Sequence, residues 1–255
     1  MKNCVVYLVR ASEDDLLNLN KSLALADDNL LAFTPADVIL FIEEEFEPYI
    51  SRVIGLKNSE ITYVVIKFPE PPEGTVEIFP HPIREQLAKG NMGFSIGYRS
   101  MCWFFSGGMY EQPIMDNYKY YLRLDTDSYI LSPVNCDLFD IMEKGKYKYS
   151  TIKEAIQFDH PDVCVGLWDF CWRDSHNIPE REMFYTNWEM GEVEFFRGGF
   201  YYAFFKRIEE HGGIYRHRWG DAIVKRIGVG LFTTPEQIMY PSGWIYQHGH
   251  VYDLR

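Results

Sequence analysis

The sequence predicts an α/β protein whose core is a parallel sheet flanked by helices. Residues 4–9 (CVVYLV) and 37–42 (DVILFI) are almost continuous apolar runs, and residues 61–67 (ITYVVIK) form a third. Strands that are buried on both faces of a parallel sheet have this composition. Between the first two runs, the leucines of residues 16–23 keep helical spacing. This alternation predicts right-handed crossovers that place helices on both faces of the sheet.

The further elements can be taken in chain order. Ser12 stands three residues before Asp15, a pattern typical of a capping box at the start of a helix. Five prolines in residues 68–83 predict a loop, because proline interrupts both helices and strands. A helix is predicted near residues 97–107, and a strand is predicted at residues 118–124 (YKYYLRL).

The composition fits one large globular domain over residues 1–255, with no repeat and no convincing boundary. Nearly half of the residues are apolar and 16% are aromatic, which is enough for a substantial core. The formal charge of −12 argues against a nucleic-acid partner, because a surface that tracks phosphates needs clustered Lys and Arg. An anionic small molecule stays open, since it needs only a local basic pocket or a metal ion.

The cysteines and the absence of long apolar runs bear on the compartment. The five cysteines form no CxxC pair, and their odd number favours buried free thiols in a reducing compartment, with a single disulfide still open. No apolar run reaches the length of a membrane span. The N-terminal MKNCVVYLVR lacks the cleavage site of a secretory signal. We therefore expect a cytoplasmic protein, unless the chain is a trimmed Golgi-type domain; the oligomeric state is not predicted.

Two aspartates, Asp125 and Asp127, stand where the strand at residues 118–124 runs into a turn. Aspartate favours turns, so the pair has a purely structural explanation. The alternative is a divalent cation, since Mn²⁺ and Mg²⁺ take oxygen ligands and are commonly shared with substrate phosphates. Ligands bind beyond the carboxyl ends of strands in α/β sheets, so this position suits a nucleotide diphosphate. Because chance gives on the order of one DxD in a chain of this size, the motif alone favours the turn.

A DxD after a strand is also the signature of haloacid-dehalogenase-type phosphatases. Their motif continues with Gly or Ser and then Thr or Val, whereas Ser128 is followed here by Tyr129. Their motif also usually lies on the first strand rather than in mid-chain. The phosphatase interpretation is therefore the weaker one.

The C-terminal third supplies more specific motifs. Taken with the middle of the chain, the blocks are YR-x-MC-x-F-x-SG (98–107), YKYY-x-R (118–123), N-x-E (187–189), GG-x-Y-x-x-RWGDA (212–222) and a closing Y-x-H. In this order they strongly resemble the fungal Golgi α-1,2-mannosyltransferase family (glycosyltransferase family 15). The N-terminal VYLVRASEDDL also resembles the family's first strand and helix, while residues 140–180 match poorly. The resemblance implies a glycosyltransferase A (GT-A) fold, with a mixed, mainly parallel sheet flanked by helices. It also implies a retaining enzyme that uses GDP-mannose and Mn²⁺.

The resemblance implies a metal site. Asp125 matches the family's metal-binding acid, where the family normally has Glu followed by Pro. The aspartate at Asp127 is a departure from the family pattern, and we include it as a further ligand. His248 matches the family's second metal ligand, and an imidazole nitrogen suits Mn²⁺. We expect Mn²⁺, with Mg²⁺ as the alternative; without the resemblance, His248 would be interpreted as part of a polar surface strand.

Two acids match the family's catalytic positions. Glu189 corresponds to the acid beneath the anomeric carbon of the sugar, either as a nucleophile or as a group that only stabilises oxocarbenium-like charge. Its structural alternative is an acid at a helix N-terminus near Asn187. Asp221 corresponds to the acid that hydrogen-bonds sugar hydroxyls, and its alternative is a helix N-cap.

Further residues are assigned to the donor and the acceptor. Tyr98 matches a family tyrosine close to the donor, and Arg99 and Arg123 are candidates for compensating diphosphate charge, since Arg pairs well with phosphate. Either arginine can equally be structural. Acceptor contacts are assigned to Trp188, Arg197 and Trp219, although most such tryptophans are core residues.

The sequence and the resemblance together predict a Mn²⁺-dependent retaining hexosyltransferase. It would move mannose from GDP-mannose, the nucleotide-sugar donor, to a hydroxyl of a glycan acceptor. Residues 1–127 would form the nucleotide-sugar-binding half and residues 128–255 the acceptor-binding half. Two alternatives stay open: a glycosyltransferase with another nucleotide sugar, and a catalytically inactive sugar-binding module on the same fold. The acceptor and the linkage are not predicted.

Overall fold

The predicted alternation of strands and helices is present in the computed structural model of the protein, which describes residues 1–77, 95–156, 164, 166–171 and 182–254. Its strands are β1 (Lys2–Val9), β2 (Asp37–Ile42), β3 (Ile61–Val65), β4 (Tyr118–Leu124), β5 (Ser128–Ile130), β6 (Tyr149–Thr151), β7 (Glu154–Ile156), β8 (Glu182–Phe184), β9 (Trp188–Glu192), β10 (Ile238–Met239), β11 (Ile245–His248) and β12 (Val251–Leu254). Its α-helices are α1 (Glu13–Ala26), α2 (Ile96–Trp103), α3 (Leu138–Gly145), α4 (Leu167–Cys171), α5 (Val193–Arg197), α6 (Gly199–His211), α7 (Gly213–His217) and α8 (Asp221–Phe232).

Seven strands form the main sheet, in the order β10-β6-β9-β4-β1-β2-β3. All neighbours in this sheet are parallel except at β9, which runs antiparallel to both β4 and β6. The predicted mixed, mainly parallel sheet is therefore confirmed. The register of β9 on β4 sets Glu189 opposite Arg123. Two of the predicted site residues thus become direct neighbours on the sheet.

Two apolar cores cover the two faces of the main sheet. Successive residues of a strand point to opposite faces, and on β1 the side chains of Val5 and Tyr7 join one core while Cys4 and Val6 join the other. The first core includes the buried faces of α1 and α3, and the second includes those of α2, α6 and α8. Helices on both faces are therefore confirmed.

A second, three-stranded antiparallel sheet has the order β12-β11-β5. It begins directly after the two aspartates, because β5 starts at Ser128, and the register pairs Ser128 with His248 on β11. This sheet was not predicted from the sequence. It carries the histidine at the C-terminal end of the chain to the turn that holds the DxD motif.

The local signals at the first helix and the proline-rich segment agree with the structure. Ser12 is the N-cap of α1, and its Oγ accepts a hydrogen bond of 3.1 Å from the backbone N–H of Asp15. Residues 68–77 contain no helix or strand, as the prolines predict, and the rest of the predicted loop, residues 78–83, lies outside the described residues.

The third strand differs from its prediction. β3 ends at Val65 rather than at residue 67, and its residues are half-buried or exposed. It is an edge strand, with β2 on one side and no further strand of the described sheet on the other. The apolar composition of residues 61–67 therefore predicted the strand correctly but its burial incorrectly.

Two further predictions concern the cysteines and the membrane. All five cysteines carry free thiols, and four of them are buried, as expected for buried free thiols. Within the described part of the chain, no helix combines the length and the apolarity that crossing a membrane requires. The predicted cytoplasmic location stays a prediction.

Candidate active site

The three side chains predicted to hold a metal ion lie together at the carboxyl end of β4. Asp125 and Asp127 stand on the turn between β4 and β5, and His248 is the last residue of β11. The Nε2 atom of His248 lies 3.2 Å from a carboxylate oxygen of Asp127 and 3.7 Å from one of Asp125. One potential ligand atom from each residue falls within 4.8 Å of the other two. All three residues are partly exposed, so a ligand can reach the group from solvent.

Buried hydrogen bonds hold the DxD turn in place. The Ser128 hydroxyl accepts from the Asp125 backbone N–H at 3.2 Å and donates to the Asn187 carbonyl at 3.0 Å. The Tyr246 hydroxyl lies 2.8 Å from the Ser128 hydroxyl and also donates to the Asn187 side-chain oxygen at 2.8 Å. Tyr246 belongs to β11, and Asn187 immediately precedes β9. The turn is therefore fixed by residues from both sheets.

The charges of the metal group depend on one another. Burial alone would lower the pKa of His248, but the nearby carboxylates of Asp125 and Asp127 outweigh that effect and raise the pKa to about 9. For Asp125, burial alone would raise the pKa. The positive charges of Arg123 and His248 outweigh that effect and hold the pKa of Asp125 below its usual value. Without a metal ion, a proton on His248 thus supplies part of the positive charge at this site.

Arg123 connects the metal group to the acids inside the fold. It is almost fully buried, and its Nε donates to Asp125 at 3.0 Å while its Nη1 donates to Asp221 at 2.6 Å. Its guanidinium carbon, Cζ, lies 3.5 Å from the centre of the Phe105 ring. Asp221 accepts a second hydrogen bond of 3.0 Å from the Thr186 hydroxyl. The Arg123 donors are thus directed at two carboxylates, and its predicted contact with a diphosphate stays a prediction.

Asp221 is the first residue of α8, and Gly220 is the N-cap. The structural alternative of Asp221 as the N-cap is therefore wrong by one position, although its carboxylate still lies at the positive end of the helix. Because the carboxylate accepts from two other elements, it fixes α8 against the sheet.

Glu189 lies in the middle of the fold. It is a strand residue of β9 with no exposed surface, so the alternative of an acid at a helix N-terminus is wrong. One carboxylate oxygen accepts a 2.6 Å hydrogen bond from the Tyr149 hydroxyl, and the other pairs with the ammonium group of Lys225. Arg123 Nη1 lies 3.9 Å from the same oxygen. The predicted catalytic acid is thus close to Arg123 but is enclosed by its partners.

A cavity of about 430 Å³ lies at the carboxyl end of β1, and one of its lining residues, Asp15, contacts the DxD turn. Tyr98 and Met101 of α2 form one wall, and Leu8 and Val9 at the carboxyl end of β1 form another. Asp15 lines the same cavity and accepts a 3.3 Å hydrogen bond from the Thr126 hydroxyl, in the middle of the DxD turn.

Tyr98 lines this cavity, and its predicted contact with the donor stays a prediction. Its hydroxyl accepts a 3.0 Å hydrogen bond from Arg218, which fixes the ring at the cavity wall. Burial raises the pKa of Tyr98, so the phenol stays neutral at physiological pH.

Arg99 does not reach a solvent-accessible site, so its assignment as a contact of the diphosphate is wrong. Its side chain is fully buried, and its guanidinium donates to backbone carbonyls, including those of Tyr215 and Glu77. Its donors therefore satisfy backbone carbonyls of α7 and of the segment before α2 instead of facing a diphosphate. Arg99 is a structural residue in this fold.

Two tryptophans assigned to the acceptor are core residues. Trp188 is fully buried on the face of β9 opposite to Glu189, and its ring contacts Trp244 at 5.7 Å between centroids. Trp219 is fully buried and stacks on His211 at 4.5 Å. Neither ring offers a surface on which a sugar could stack, so we correct both assignments.

Arg197 lies at the wrong end of the sheet for an acceptor contact. It ends α5 and pairs with Asp116, which precedes the first residue of β4. Asp125 follows the last residue of the same strand. Arg197 therefore forms an ion pair near the amino end of β4, whereas the metal group lies at its carboxyl end.

Sequence reasoning missed several residues that contact the predicted acids. Lys225, Tyr149 and Thr186 each bind a carboxylate of the site, yet none belongs to a recognisable motif. The one usable signal is the spacing of Asp221 and Lys225, because residues four apart share a helix face. A lysine between apolar residues of an amphipathic helix is ordinarily solvent-exposed, so this signal is weak.

Comparisons with known proteins point to one group of enzymes. The family model described as glycolipid 2-alpha-mannosyltransferase matches residues 2–169 and 160–254. The alpha-1,2 mannosyltransferase KTR1 of Saccharomyces cerevisiae is 30% identical over 97% of this chain and 68% of its own length. The probable mannosyltransferase KTR3 of the same yeast is 26% identical over 97% of this chain and 66% of its own length. The chain thus spans about two thirds of the length of these curated relatives.

A solved structure shares the fold. Core-mannan synthase A (CmsA/Ktr4) from Aspergillus fumigatus, solved in a Mn/GDP form, superposes with a TM-score of 0.78 at 24% identity. The match covers 99% of this chain and 76% of that one. With the mixed seven-stranded sheet, this likeness confirms the predicted GT-A fold.

Proposed function

The chain belongs to the glycolipid 2-alpha-mannosyltransferase family, and we propose that it transfers mannose from GDP-mannose to a hydroxyl of a glycan acceptor with retention of configuration. The observation that carries this proposal is the convergence of Asp125, Asp127 and His248 beside a cavity at the carboxyl edge of the main sheet. A nucleotide-diphosphate sugar needs both features, a site for its phosphates and a recess for its nucleoside. The mannosyltransferase names of the relatives and the Mn/GDP form of the structural neighbour support the same donor and metal.

The residues of the metal group fit a divalent cation. Two carboxylate oxygens and one imidazole nitrogen can meet at one point, because the three atoms lie within 4.8 Å of one another. Mixed oxygen and nitrogen ligands suit Mn²⁺, whereas Mg²⁺ favours an all-oxygen set. The ligands are partly exposed, which leaves room for phosphate oxygens. When bound, the cation would neutralise charge on the departing diphosphate.

The donor would occupy the cavity lined by Leu8, Val9, Tyr98 and Met101. Its mixed wall suits a nucleoside, with apolar side chains for the base and carboxylates for hydroxyl groups; the carboxylates are those of Asp15 and Glu43. Every lining residue precedes residue 127, which supports the proposed nucleotide-sugar-binding half. Residues 128–255 would then provide the acceptor side.

The acids would stabilise positive charge on the sugar as the bond to the diphosphate breaks. Asp221 is nearly buried and bound to Arg123, and Glu189 is fully buried with both of its oxygens hydrogen-bonded. A carboxylate held in this way is poorly placed to form a covalent bond to carbon, so we favour an electrostatic role for Glu189. The acceptor oxygen would then bond to the anomeric carbon on the face that the diphosphate leaves. The acceptor proton would pass to the departing phosphate oxygen.

Tyr185 takes the place of the two tryptophans as the aromatic candidate for a sugar contact. It is half-buried, and its ring meets the His248 ring edge-on at 6.1 Å. The Lys153 ammonium lies 4.1 Å from the centre of the same ring. An aromatic side chain beside the metal group is the type of residue against which sugars pack.

The test is a transfer reaction with GDP-mannose, Mn²⁺ and methyl α-mannoside, followed by proton NMR of the anomeric region. The proposal predicts a new α-configured mannoside whose formation stops when EDTA removes the metal. A parallel panel of UDP and other nucleotide sugars tests the donor. Transfer from another donor would keep the reaction class and replace GDP-mannose. Donor binding without transfer would favour the sugar-binding module. The absence of both donor binding and transfer would overturn the proposal.

A further inference from the structure

Lys225 and Glu189 form an ion pair that is sealed from solvent. Neither side chain has any exposed surface. Lys225 comes from α8 and Glu189 from β9, so the pair joins a helix to the sheet. A buried charge without a partner is strongly unfavourable, so each of these groups requires the other.

The surroundings of the pair are almost entirely aromatic. Lys225 also donates to the Tyr121 hydroxyl at 3.3 Å, and its ammonium lies 5.5 Å from the ring centres of Tyr110, Tyr121 and Phe196. The Tyr110 hydroxyl in turn donates to Tyr121 at 2.7 Å. The one other ammonium or guanidinium group that faces Glu189 within 4 Å, among the described residues, is that of Arg123.

The titratable groups facing Glu189 come from every element packed against it. Among the described residues, they are Tyr121 and Arg123 of β4, Tyr149 of β6, Asp221 and Lys225 of α8, and also Tyr110 and Tyr201. Burial raises the pKa of each of these tyrosines, so they stay neutral. Burial lowers the pKa of Lys225, and the negative charge of Glu189 opposes that effect. Lys225 and Arg123 are the basic groups that lie within 4 Å of Glu189 among the described residues.

The charged groups alternate in sign from the core to the metal group. The order is Lys225, Glu189, Arg123 and then the two acids Asp221 and Asp125. Arg123 lies 3.9 Å from Glu189 but makes its hydrogen bonds to the two acids. It can do so because Glu189 is already paired with Lys225.

We propose that Lys225 is a positioning residue for the transfer reaction, a role that rests on the function proposed above. It keeps Glu189 ionised and fixes the carboxylate against β9. It thereby leaves Arg123 to Asp221 and Asp125. Without the ammonium group, Glu189 either takes up a proton or draws Arg123 away from the two acids. Both changes alter the charge that the site presents to the sugar.

The protonation of Glu189 can be measured without any turnover. Carbon-13 NMR of glutamate carboxyl groups is recorded from acid to neutral pH in the wild type, in Lys225→Met and in Lys148→Met. Methionine keeps the volume and removes the charge. Lys148 pairs with Glu192, further along β9, and serves as the matched control. The double variant Glu189→Gln with Lys225→Met identifies the Glu189 signal by its loss.

The proposal expects the Glu189 signal to stay that of a carboxylate through the neutral range in the wild type and in Lys148→Met. In Lys225→Met the signal should become that of the protonated acid, or the Arg123 side-chain resonances should shift. Identical titrations in all three proteins would overturn the proposal. If Lys225→Met does not fold, a wild-type Glu189 signal that changes across the neutral range would still overturn it.

Kinetics then connect the pair to turnover. Lys225→Met should lower kcat by roughly 10- to 100-fold, as for partners that orient catalytic groups, and leave the donor KM within about threefold. Lys225→Arg should restore part of kcat, and Lys148→Met should keep it. Full activity in folded Lys225→Met would overturn the positioning role. A wild type that transfers no sugar would instead contradict the proposed function, while the NMR titration would still decide the claim about Glu189.

Discussion

The most consequential single residue is His248, which β11 places beside two acids. Its pKa rises from 6.5 to about 9 because the nearby carboxylates of Asp125 and Asp127 outweigh its burial. In the metal-free protein its contribution to stability is therefore fully present below pH 6.5 and is lost as the pH rises through about 9. A metal ion needs the neutral imidazole, so metal and proton compete for this side chain.

We predict that Mn²⁺ binding releases a proton from His248. The apparent affinity should rise by on the order of tenfold per pH unit between pH 6.5 and 8, because one proton leaves for each ion bound. Calorimetry in two buffers of different ionisation enthalpy measures the number of protons released. His248→Ala should bind more weakly and lose this proton. An affinity for Mn²⁺ that is independent of pH in the wild type would show that His248 is not a ligand.

The buried pair predicts a non-additive effect on stability. Glu189→Gln or Lys225→Met alone leaves one buried charge unpaired and should cost roughly 3–5 kcal/mol of unfolding free energy. The double variant removes both charges and should be closer to the wild type than either single variant. Urea denaturation of the four proteins measures this cycle. Additive losses would mean that the two side chains do not interact.

The same pair limits how a catalytic test of Glu189 can be interpreted. Glu189→Ala also leaves the buried Lys225 ammonium group without its carboxylate partner. Lost activity in that variant can therefore reflect lost structure. The double variant Glu189→Gln with Lys225→Met separates the two effects. If it folds like the wild type and transfers no sugar, the carboxylate itself is required.

At the scale of elements, the DxD turn is held by its neighbours. The Thr126 hydroxyl donates to Asp15 at the start of α1, and the Gly249 backbone N–H donates to the Asp127 carbonyl at 3.0 Å. Gly249 has a φ of +55°, and a Cβ there would lie 3.3 Å from an Asp127 carboxylate oxygen. A hairpin turn and a helix N-terminus thus fix the loop from two sides.

The N-cap of α1 gives a prediction at this scale. Ser12→Ala removes the hydroxyl that accepts from the Asp15 backbone and should cost about 1 kcal/mol of unfolding free energy. Urea denaturation measures the loss, and Ser51→Ala, at an exposed position, is the control. An equal effect of the two substitutions would mean that the cap does not stabilise α1.

Local sequence patterns predicted those helices and strands correctly whose structure is determined by interactions between residues close in the chain. The strands β1 and β2 and the cap of α1 follow from apolar runs and one side-chain hydrogen bond. Glu189 is different, because its strand β9 forms only between β4 and β6, two strands distant in the chain. Lys225 is also different, because its burial depends on a carboxylate 36 residues earlier. No local pattern reports such a partner.

At the scale of the whole molecule, the site depends on one antiparallel strand in a parallel sheet. β9 sets Glu189 opposite Arg123, and the small sheet brings His248 to the DxD turn. The family resemblance supplied Asp125, Glu189, Asp221 and His248 as a set, and the structure gathers them at the same end of β4. The resemblance did not predict that Trp188 and Trp219 are buried, because a tryptophan in a motif can pack in the core as well as contact a ligand.

The cavity and the metal group would together bind one nucleotide-diphosphate ligand. Calorimetric titration of GDP, with and without Mn²⁺, tests this on the wild type, on Asp125→Asn and on the control Asp14→Asn, which removes an exposed acid from α1. We predict that GDP binding depends on Mn²⁺ in the wild type and in Asp14→Asn. In Asp125→Asn the affinity for GDP in the presence of Mn²⁺ should be at least roughly tenfold lower, which corresponds to about 1.4 kcal/mol or more. GDP binding that is the same with and without Mn²⁺, or unchanged in Asp125→Asn, would contradict this prediction.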